Sequence, residues 1–343
     1  MKKLLSVIMA SAMALSLVAC GTDSAAQKEA NTASEPAAEE TVASDEAKTY
    51  NVGVIQLVQH PALDAATEGF EKALKDKLGD SVTVTIENAS GDNSTCATIA
   101  NSFVSDNVDL IMANATPALQ ASETATSTIP IVATSITDYA TALDISDWNG
   151  ATGVNVTGTS DLAPLDGQAE MLNELFPDAK EVGIIYCSGE DNSLFQAKKI
   201  TEYLEDYGYN VTDYTFSDSA DVATVVQTAC GSSDVLYVPT DNVAASCAET
   251  INNVAVTAGI PIVAGEEGIC KGCGIATLSI SYYDIGYNAG LMAYEILANG
   301  QDPATYEIQY ATEFTKEYNP VIADTLGIKL PDDYVAIEMK EEE

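Results

Sequence analysis

Alternation of short apolar segments with amphipathic segments is the feature that most constrains the fold of this chain. Four apolar or β-branched segments in its first half predict strands, at 51–58, 81–88, 109–115 and 130–136. Segments with helical periodicity lie between them, at 62–78, 93–106 and 117–126. A second series follows, with strands at 181–187, 210–216, 234–239 and 261–265 and helices at 192–207, 220–230 and 243–258. Strands that alternate with helices predict parallel, doubly wound sheets with helices on both faces, so we expect two α/β units in tandem.

The remaining segments predict three crossings between these units. Residues 150–158 alternate like a strand after a turn-rich stretch, 275–282 lead into an amphipathic helix at 283–299, and 304–314 again predict a strand. We therefore expect two Rossmann-like lobes joined by a three-segment hinge. The N-terminal lobe would contain 49–155 and 279–302, and the C-terminal lobe 156–278 and 303–337. A ligand would bind in the cleft beyond the carboxyl ends of the strands.

The first 20 residues have the pattern of a secretory signal, with two lysines, an apolar run and small residues up to Cys20. Leu17 to Cys20 resembles the bacterial lipobox, so we expect lipidation of Cys20 and a lipid anchor on the extracytoplasmic face of the cell membrane. Residues 21–48 are rich in Ala, Ser, Thr and Glu, and they predict a disordered acidic tether.

The charge of the chain is strongly acidic, with 52 Asp and Glu against 14 basic residues and a net charge of −38. This charge opposes binding to nucleic acid or to anionic lipid surfaces. All the basic residues are lysines, so no guanidinium can clamp a carboxylate through two parallel hydrogen bonds. An anionic ligand group would have to be held by lysine, by hydroxyl and amide groups, or by N–H groups at helix N-termini.

Cysteine and histidine usage argues against metal binding and catalysis. Six cysteines besides Cys20 permit disulfides in an exported chain without specifying them. Cys270 and Cys273 could form a local disulfide in a Gly-rich turn or stay free, and they lack further partners for zinc. His60 is the only histidine, and no nucleophile motif or phosphate-binding glycine loop accompanies it. We expect neither an enzyme nor a bound cofactor or metal.

Polar residues cluster where the predicted strands end. They read QHP at 59–61, NATP at 114–117, TDY at 137–139, SGEDNS at 188–193, PTDN at 239–242 and GEEG at 265–268. Each group alone is typical of a helix N-cap. Six groups that converge on one cleft favour a binding site.

The segments VIQLVQHPALDAATEGF, SGDNSTCATIA, NATPALQA, SGEDNS and VPTDN resemble, in this order, the motifs of ABC transporter substrate-binding lipoproteins whose better-known members bind tryptophan or tyrosine. The resemblance covers about residues 50–330. It implies a type I periplasmic binding protein fold, capture of an aromatic amino acid, and delivery to a permease and its ATPase by a monomeric protein. A sugar or nucleoside ligand on the same fold, or ligand sensing without transport, are the alternatives.

The resemblance also implies a set of ligand-binding residues: Gln56, His60, Pro61, Thr116, Pro117, Asp138, Ser188, Glu190, Asp191, Asn192, Ser193, Asp241 and Asn242. Asp241 is the candidate partner of the ligand ammonium. Ser188, Ser193 and the amides that open the helix near 192 are candidates for the carboxylate. Tyr139 replaces a proline of many relatives, and it could narrow the pocket, stack on the ligand or lie on the surface.

Overall fold

The computed structural model describes residues 48–339. The predicted signal, Cys20 and the tether up to residue 47 lie outside the described residues. Within residues 48–339, no helix has the length and apolar character needed to cross a membrane.

The described chain contains thirteen strands and twelve α-helices. The first part comprises β1 (Tyr50–Gln56), α1 (Pro61–Leu78), β2 (Val82–Asn88), α2 (Asn93–Ser105), β3 (Leu110–Asn114), α3 (Thr116–Ala125), β4 (Ile131–Ile136), α4 (Tyr139–Ala142) and β5 (Val156–Ser160). The middle part comprises α5 (Leu165–Leu175), β6 (Glu181–Cys187), α6 (Asp191–Asp206), β7 (Asn210–Phe216), α7 (Val222–Cys230), β8 (Val235–Val238), α8 (Asn242–Ser246), α9 (Ala248–Ala258), β9 (Ile262–Ala264), α10 (Glu267–Cys273) and β10 (Ala276–Ser279). The last part comprises α11 (Tyr282–Asn299), β11 (Gln309–Tyr310), β12 (Thr315–Tyr318), α12 (Pro320–Leu326) and β13 (Val335–Ala336).

These strands form two sheets, one in each lobe. The first has the order β11-β5-β4-β3-β1-β2 and is parallel throughout. The second has the order β13-β12-β10-β9-β8-β6-β7, with one antiparallel pair between β10 and β12. Strands β3 and β4 are buried along their whole length, because helices cover both faces of the sheet. The predicted fold class, two parallel doubly wound α/β lobes, is confirmed.

Three segments connect the lobes. The chain passes from β5 to α5, returns from β10 to α11, and passes again from β11 to β12. Helix α11 packs against α1 of the first lobe so closely that a Cβ atom at Gly286 would lie 2.0 Å from the carbonyl oxygen of Ala66. Glycine is therefore required at this helix contact.

The lobe boundaries differ from the prediction at two places. Val156–Ser160 pairs with β4 and Gln309–Tyr310 pairs with β5, so both segments belong to the first sheet rather than to the C-terminal lobe. The single strand predicted at 304–314 is instead two short strands on either side of the third crossing. Sequence alternation identifies a strand but not its neighbour, which depends on tertiary pairing.

Several elements were absent from the prediction, namely α4, α5, α10, α12 and β13. The segment that contains Cys270 and Cys273 is a helix rather than a turn. Glu266 begins this helix, since its side chain accepts hydrogen bonds from the backbone N–H groups of Gly268 and Ile269.

Candidate functional site

The two lobes contact each other directly across the cleft. His60 Nε2 lies 3.3 Å from Asn242 Oδ1, and Gln120 Nε2 donates to Asp191 Oδ2 at 2.9 Å. Both pairs join residues of opposite lobes. The lobes are therefore closed on each other in this structure.

A narrow space lies between the lobes, and we call it the inner cavity. It encloses about 280 Å³, including space open to solvent. It is bounded by the ends of strands and by the starts of helices from both lobes. Its lining consists of His60, Leu63, Ser135, Asp161, Asn192, Thr240, Asp241, Asn242, Ala245, Glu266 and Tyr282.

A larger hollow lies at the mouth of the cleft, and we call it the outer chamber. It encloses about 1060 Å³, including space open to solvent. Its lining consists of Leu57, Val58, residues 90–94, Pro117, Cys187, Gly189, Glu190, residues 217–219, Asn242, Val243 and Ser246. Asn242 lines both spaces, so the inner cavity and the outer chamber adjoin each other.

Three buried polar atoms on the wall of the inner cavity have no hydrogen-bond partner within the described residues. They are His60 Nδ1, Ser135 Oγ and Asn192 Oδ1. Leaving a buried polar group unpaired costs about 1–3 kcal/mol, and such groups are few in native proteins. Their convergence on one cavity indicates a site built for a polar ligand.

Backbone strain accompanies these atoms. Ser135 has φ 57°, a left-handed conformation that is uncommon for a residue other than glycine. Ala115, at the start of α3, has φ 87° and ψ 157°, in a region that is otherwise occupied by glycine. Strained residues at the carboxyl ends of β3 and β4 are typical of sites where ligand contacts take precedence over backbone preference.

Three carboxyl groups line the inner cavity and are almost wholly buried: Asp161 (3% exposed), Asp241 (1%) and Glu266 (2%). Burial raises the pKa of Asp161 to about 6 and the pKa values of Asp241 and Glu266 to about 7. The nearby charge of Glu190 raises the pKa of Asp241 further. Burial also lowers the pKa of His60, so its imidazole is neutral at pH 7. No lysine belongs to the wall described for this cavity, which is therefore acidic and without a cation.

Asp161 connects the site to the hinge. It follows β5 at the first crossing, and it accepts hydrogen bonds from Thr137 Oγ1 at 3.0 Å and from the Tyr282 hydroxyl at 2.9 Å. Tyr282 opens α11 just after the second crossing. Gln196 of the second lobe donates to Thr137 Oγ1 at 3.4 Å and to the Thr240 carbonyl at 2.9 Å. Closure of the lobes and the shape of the inner cavity are thus set by the same residues.

The structure brings five of the sequence-predicted residues besides Asn242 to these two spaces. His60, Asn192 and Asp241 line the inner cavity, whereas Pro117 and Glu190 line the outer chamber. Asp241 also caps α8, because its Oδ1 accepts from the Ala244 N–H at 2.7 Å. Their contact with a ligand stays a prediction.

Other predicted residues lie elsewhere or are engaged within one lobe. Gln56 lines neither space, because its side chain bonds to Val58, Asp64 and Thr67. Asp138 caps α4 through the N–H of Thr141.

The remaining predicted residues are distributed around the cleft. Thr116 is buried at the start of α3, and exposed Pro61 borders a separate hollow on the hinge side. Exposed Ser188 donates to the Phe216 carbonyl, and exposed Asp191 accepts from Gln120. Ser193 is fully buried and hydrogen-bonds to Asp241, so its hydroxyl is already used within the second lobe.

Tyr139 lies in the hydrophobic core of the first lobe and does not line the inner cavity. Its hydroxyl donates to the carbonyl oxygens of Ala133 and Thr159, at 3.0 and 3.1 Å. The alternatives of a pocket wall, a stacking partner or a surface position are wrong for this residue, because two backbone acceptors hold it inside the lobe.

Several lining residues were not among the predicted site residues, namely Leu63, Ser135, Asp161, Thr240, Ala245, Glu266 and Tyr282. Thr240 and Glu266 carry the same signal as Asp241, since each closely follows a strand. Asp161 and Tyr282 lie on crossings, whose place beside the cleft depends on the tertiary fold. Ser135 lies inside a strand, and no pattern in the sequence distinguishes it.

The six cysteines of the described region are free thiols. Cys270 and Cys273 are both free thiols buried in the second lobe, and the local disulfide is therefore not formed in this structure. No group of three or more His, Cys, Asp or Glu residues in the described region could hold a metal ion.

Comparisons with known proteins agree with this architecture. Residues 51–341 match the family model described as ABC transporter substrate binding protein. The chain is 38% identical over 299 residues to the tyrosine-binding protein of Clostridioides difficile (strain R20291), and the match covers 86% of this chain and 84% of that relative.

Two solved structures are similar over most of the chain. The crystal structure of an ABC domain in complex with L-Trp from Streptococcus pneumoniae has a TM-score of 0.79 at 31% identity, over 83% of this chain and 97% of that one. The ligand-free, open structure of a substrate binding protein with adhesive properties from Clostridium difficile has a TM-score of 0.65 at 35% identity, over 85% of this chain and 100% of that one. The higher score against the L-Trp complex agrees with the closed lobes described above. The fold is that of the type I periplasmic binding proteins, and the chain belongs to the ABC transporter substrate binding protein family.

Proposed function

We propose that this protein is the extracytoplasmic binding component of an ABC importer and that its ligand is an aromatic amino acid, namely tryptophan, tyrosine or phenylalanine. The observation that carries this proposal is the inner cavity, with three buried carboxyl groups and three unpartnered polar atoms between closed lobes. An α-ammonium group supplies the donors and the positive charge that such a wall requires. The relative named for tyrosine and the neighbour in complex with L-Trp support the aromatic class.

The head group of the ligand would bind in the inner cavity. Its ammonium would donate to Asn192 Oδ1 and to the carboxylates of Asp161 and Asp241. Its carboxylate would accept from Ser135 Oγ and from the N–H groups of Thr116 and Ala118 at the start of α3, a ten-residue helix without a side-chain cap whose second residue is Pro117. This arrangement keeps the predicted role of Asp241. It moves the predicted carboxylate contacts from Ser188, Ser193 and the amides that open α6 to the first lobe.

The aromatic ring would extend into the outer chamber. The inner cavity has room for only a small group, because it measures about 10 Å³ on the scale by which pockets that enclose whole small ligands measure about 300–1,000 Å³. The outer chamber adjoins it and offers apolar surface from Leu57, Val58, Pro117 and Val243. The only tryptophan, Trp148, packs against the core of the first lobe and offers no stacking platform in the cleft, which argues against a sugar ligand.

Transport and anchoring complete the proposal. The protein would act as a monomer that delivers its ligand to a permease with its ATPase, and a lipid on Cys20 would hold it at the extracytoplasmic face of the cell membrane. The support for the anchor is the sequence of residues 1–20. Metabolic labelling with a radioactive fatty acid tests it, since the label should be incorporated by the native chain and lost in Cys20→Ser.

Binding calorimetry and thermal unfolding with a panel of amino acids, sugars and nucleosides test the ligand class. A ligand at about 100 times its Kd stabilises the folded state by about 2.7 kcal/mol, so an aromatic amino acid should raise the unfolding temperature clearly. Stabilisation by a sugar or nucleoside, with no response to tryptophan, tyrosine or phenylalanine, would overturn the proposal.

A further inference from the structure

We propose that the cleft recognises the ammonium group of its ligand rather than the carboxylate, so that aromatic amines without a carboxylate, such as tyramine and tryptamine, are also ligands of this protein. The inference deepens the proposed function and rests on it. Four observations on the walls of the cleft carry it.

The first observation is that two of the unpartnered atoms in the inner cavity are acceptors. Asn242 Nδ2 donates to Glu190 Oε2 at 2.7 Å, which orients the amide so that its Oδ1 faces His60. Because an amide oxygen only accepts, His60 Nε2 carries the imidazole proton, and Nδ1 presents a lone pair. Asn192 Nδ2 donates to Glu190 Oε2 and to the Thr240 carbonyl, so the unpartnered Asn192 Oδ1 is also an acceptor. These atoms need donors, which an ammonium group has and a carboxylate lacks.

The second observation is that the N-termini of three short helices at the cleft, α4, α8 and α10, are already neutralised by the chain's own acids. Asp241 accepts from the N–H of Ala244, and Glu190 accepts from the N–H groups of Asn242 and Val243. Glu266 caps α10, and Asp138 caps α4, in the same way. The N–H groups that commonly hold an anionic ligand are thus occupied at these three helices.

The third observation concerns charge. Three almost wholly buried carboxyl groups line the inner cavity, and its described wall contains no lysine. Lys271 borders the hinge-side hollow, but its Nζ donates to the carbonyl of Glu338 at 2.7 Å. The buried imidazole of His60 is neutral, since burial lowers its pKa. A ligand with a net positive charge therefore gains more here than a zwitterion, whose carboxylate is repelled by the same wall.

The fourth observation is that the donors assigned to the carboxylate lie in one lobe. Ser135 Oγ and the first N–H groups of α3 are the donors that we assign to it, and both belong to the first lobe. Loss of the carboxylate would leave the contacts to the second lobe intact, including Asn192 and Asp241. Closure of the lobes around an amine would thus remain possible.

Calorimetry with two matched ligand series tests the inference on the intact protein. One series is tyrosine, tyramine and 3-(4-hydroxyphenyl)propionate, and the other is tryptophan, tryptamine and indole-3-propionate. For the amino acid that binds, we expect the Kd of the corresponding amine to lie within about tenfold of the amino acid's Kd. We expect the corresponding propionate to bind more than about a hundredfold more weakly than the amino acid. An amine that binds more than about tenfold more weakly than its amino acid overturns the inference while the proposed function stands. Binding of amines without amino acids overturns the proposed function alone, and no binding in either series or with phenylalanine and phenethylamine overturns both.

Asp161→Asn provides a second test at the atomic level. The hydroxyls of Thr137 and Tyr282 can each donate or accept, so they can re-pair with the new amide and the fold should be kept. We expect the affinity for tyramine or tryptamine to fall at least about tenfold relative to the parent protein, whereas the affinity for the propionates should not decrease. Glu249→Gln removes the same charge from the exposed surface of α9 and should leave all affinities unchanged. Unchanged amine affinity in Asp161→Asn would overturn ammonium recognition by this wall.

Discussion

Replacing Asp161 by Asn should stabilise the ligand-free protein at neutral pH, although the same change weakens ligand binding. The carboxylate of Asp161 is 3% exposed and has no cation beside it, and burial raises its pKa from 3.8 to about 6. One pKa unit corresponds to about 1.4 kcal/mol, so ionised Asp161 costs the folded state about 3 kcal/mol relative to the unfolded chain. An amide of the same shape carries no such cost.

The sign of the pH dependence follows from the direction of this shift. Because the folded pKa is raised, the unfolded chain releases the Asp161 proton first as the pH increases. The cost is absent below about pH 4, grows up to about pH 6 and is complete above it. The pKa values of Asp241 and Glu266 are raised to about 7, so these residues also make the free energy of unfolding decrease with increasing pH, in the variant as in the parent. The difference between variant and parent therefore reports Asp161 together with its weaker effect on Glu266, whose pKa the charge of Asp161 helps to raise.

Urea unfolding at a series of pH values between about 4 and 8 measures this difference. The free energy of unfolding of Asp161→Asn should equal that of the parent near pH 4 and exceed it by about 3 kcal/mol at pH 7. Glu249→Gln, with the same loss of charge on an exposed helix, should follow the parent at every pH. A difference that does not change between pH 4 and pH 7 would refute the assignment of a buried, unpaired carboxylate at residue 161.

Three further predictions concern packing, closure and thiol chemistry. In urea unfolding, Gly286→Ala should lower the free energy of unfolding by about 1–3 kcal/mol, because the new Cβ would lie 2.0 Å from a carbonyl oxygen of α1. Gly231→Ala, whose Cβ would have no atom nearer than 3.4 Å, should leave the free energy of unfolding almost unchanged. His60→Ala removes a contact between the lobes and should weaken aromatic amino acid binding about tenfold by calorimetry, and an unchanged Kd would contradict its place in the site. With Ellman's reagent on residues 48–343, the partly exposed thiols of Cys230 and Cys247 should react in the native protein, and the four buried thiols should react only after unfolding. Fewer than six reactive thiols after unfolding would reveal a disulfide.

Part of the site could be predicted from the order of residues along the chain. Polar residues directly after apolar strands identified His60, Asn192, Asp241 and Asn242, because parallel strands bring their carboxyl ends to one edge. The same rule included Asp138, which lines neither space and caps α4 instead. Local pattern cannot distinguish a polar side chain that faces the cleft from one that bonds within its own lobe.

The sequence by itself determined the two parallel α/β sheets, since strand and helix periodicities depend on local residue order. Only the tertiary structure decided which sheet receives β5 and β11, because pairing partners are distant in the chain. It also decided that Ser135, Asp161 and Tyr282 share one cavity, which requires two lobes and two crossings to meet. The raised pKa values of the carboxyl groups arise there as well, because burial without a cation is a property of the closed cleft and not of any segment.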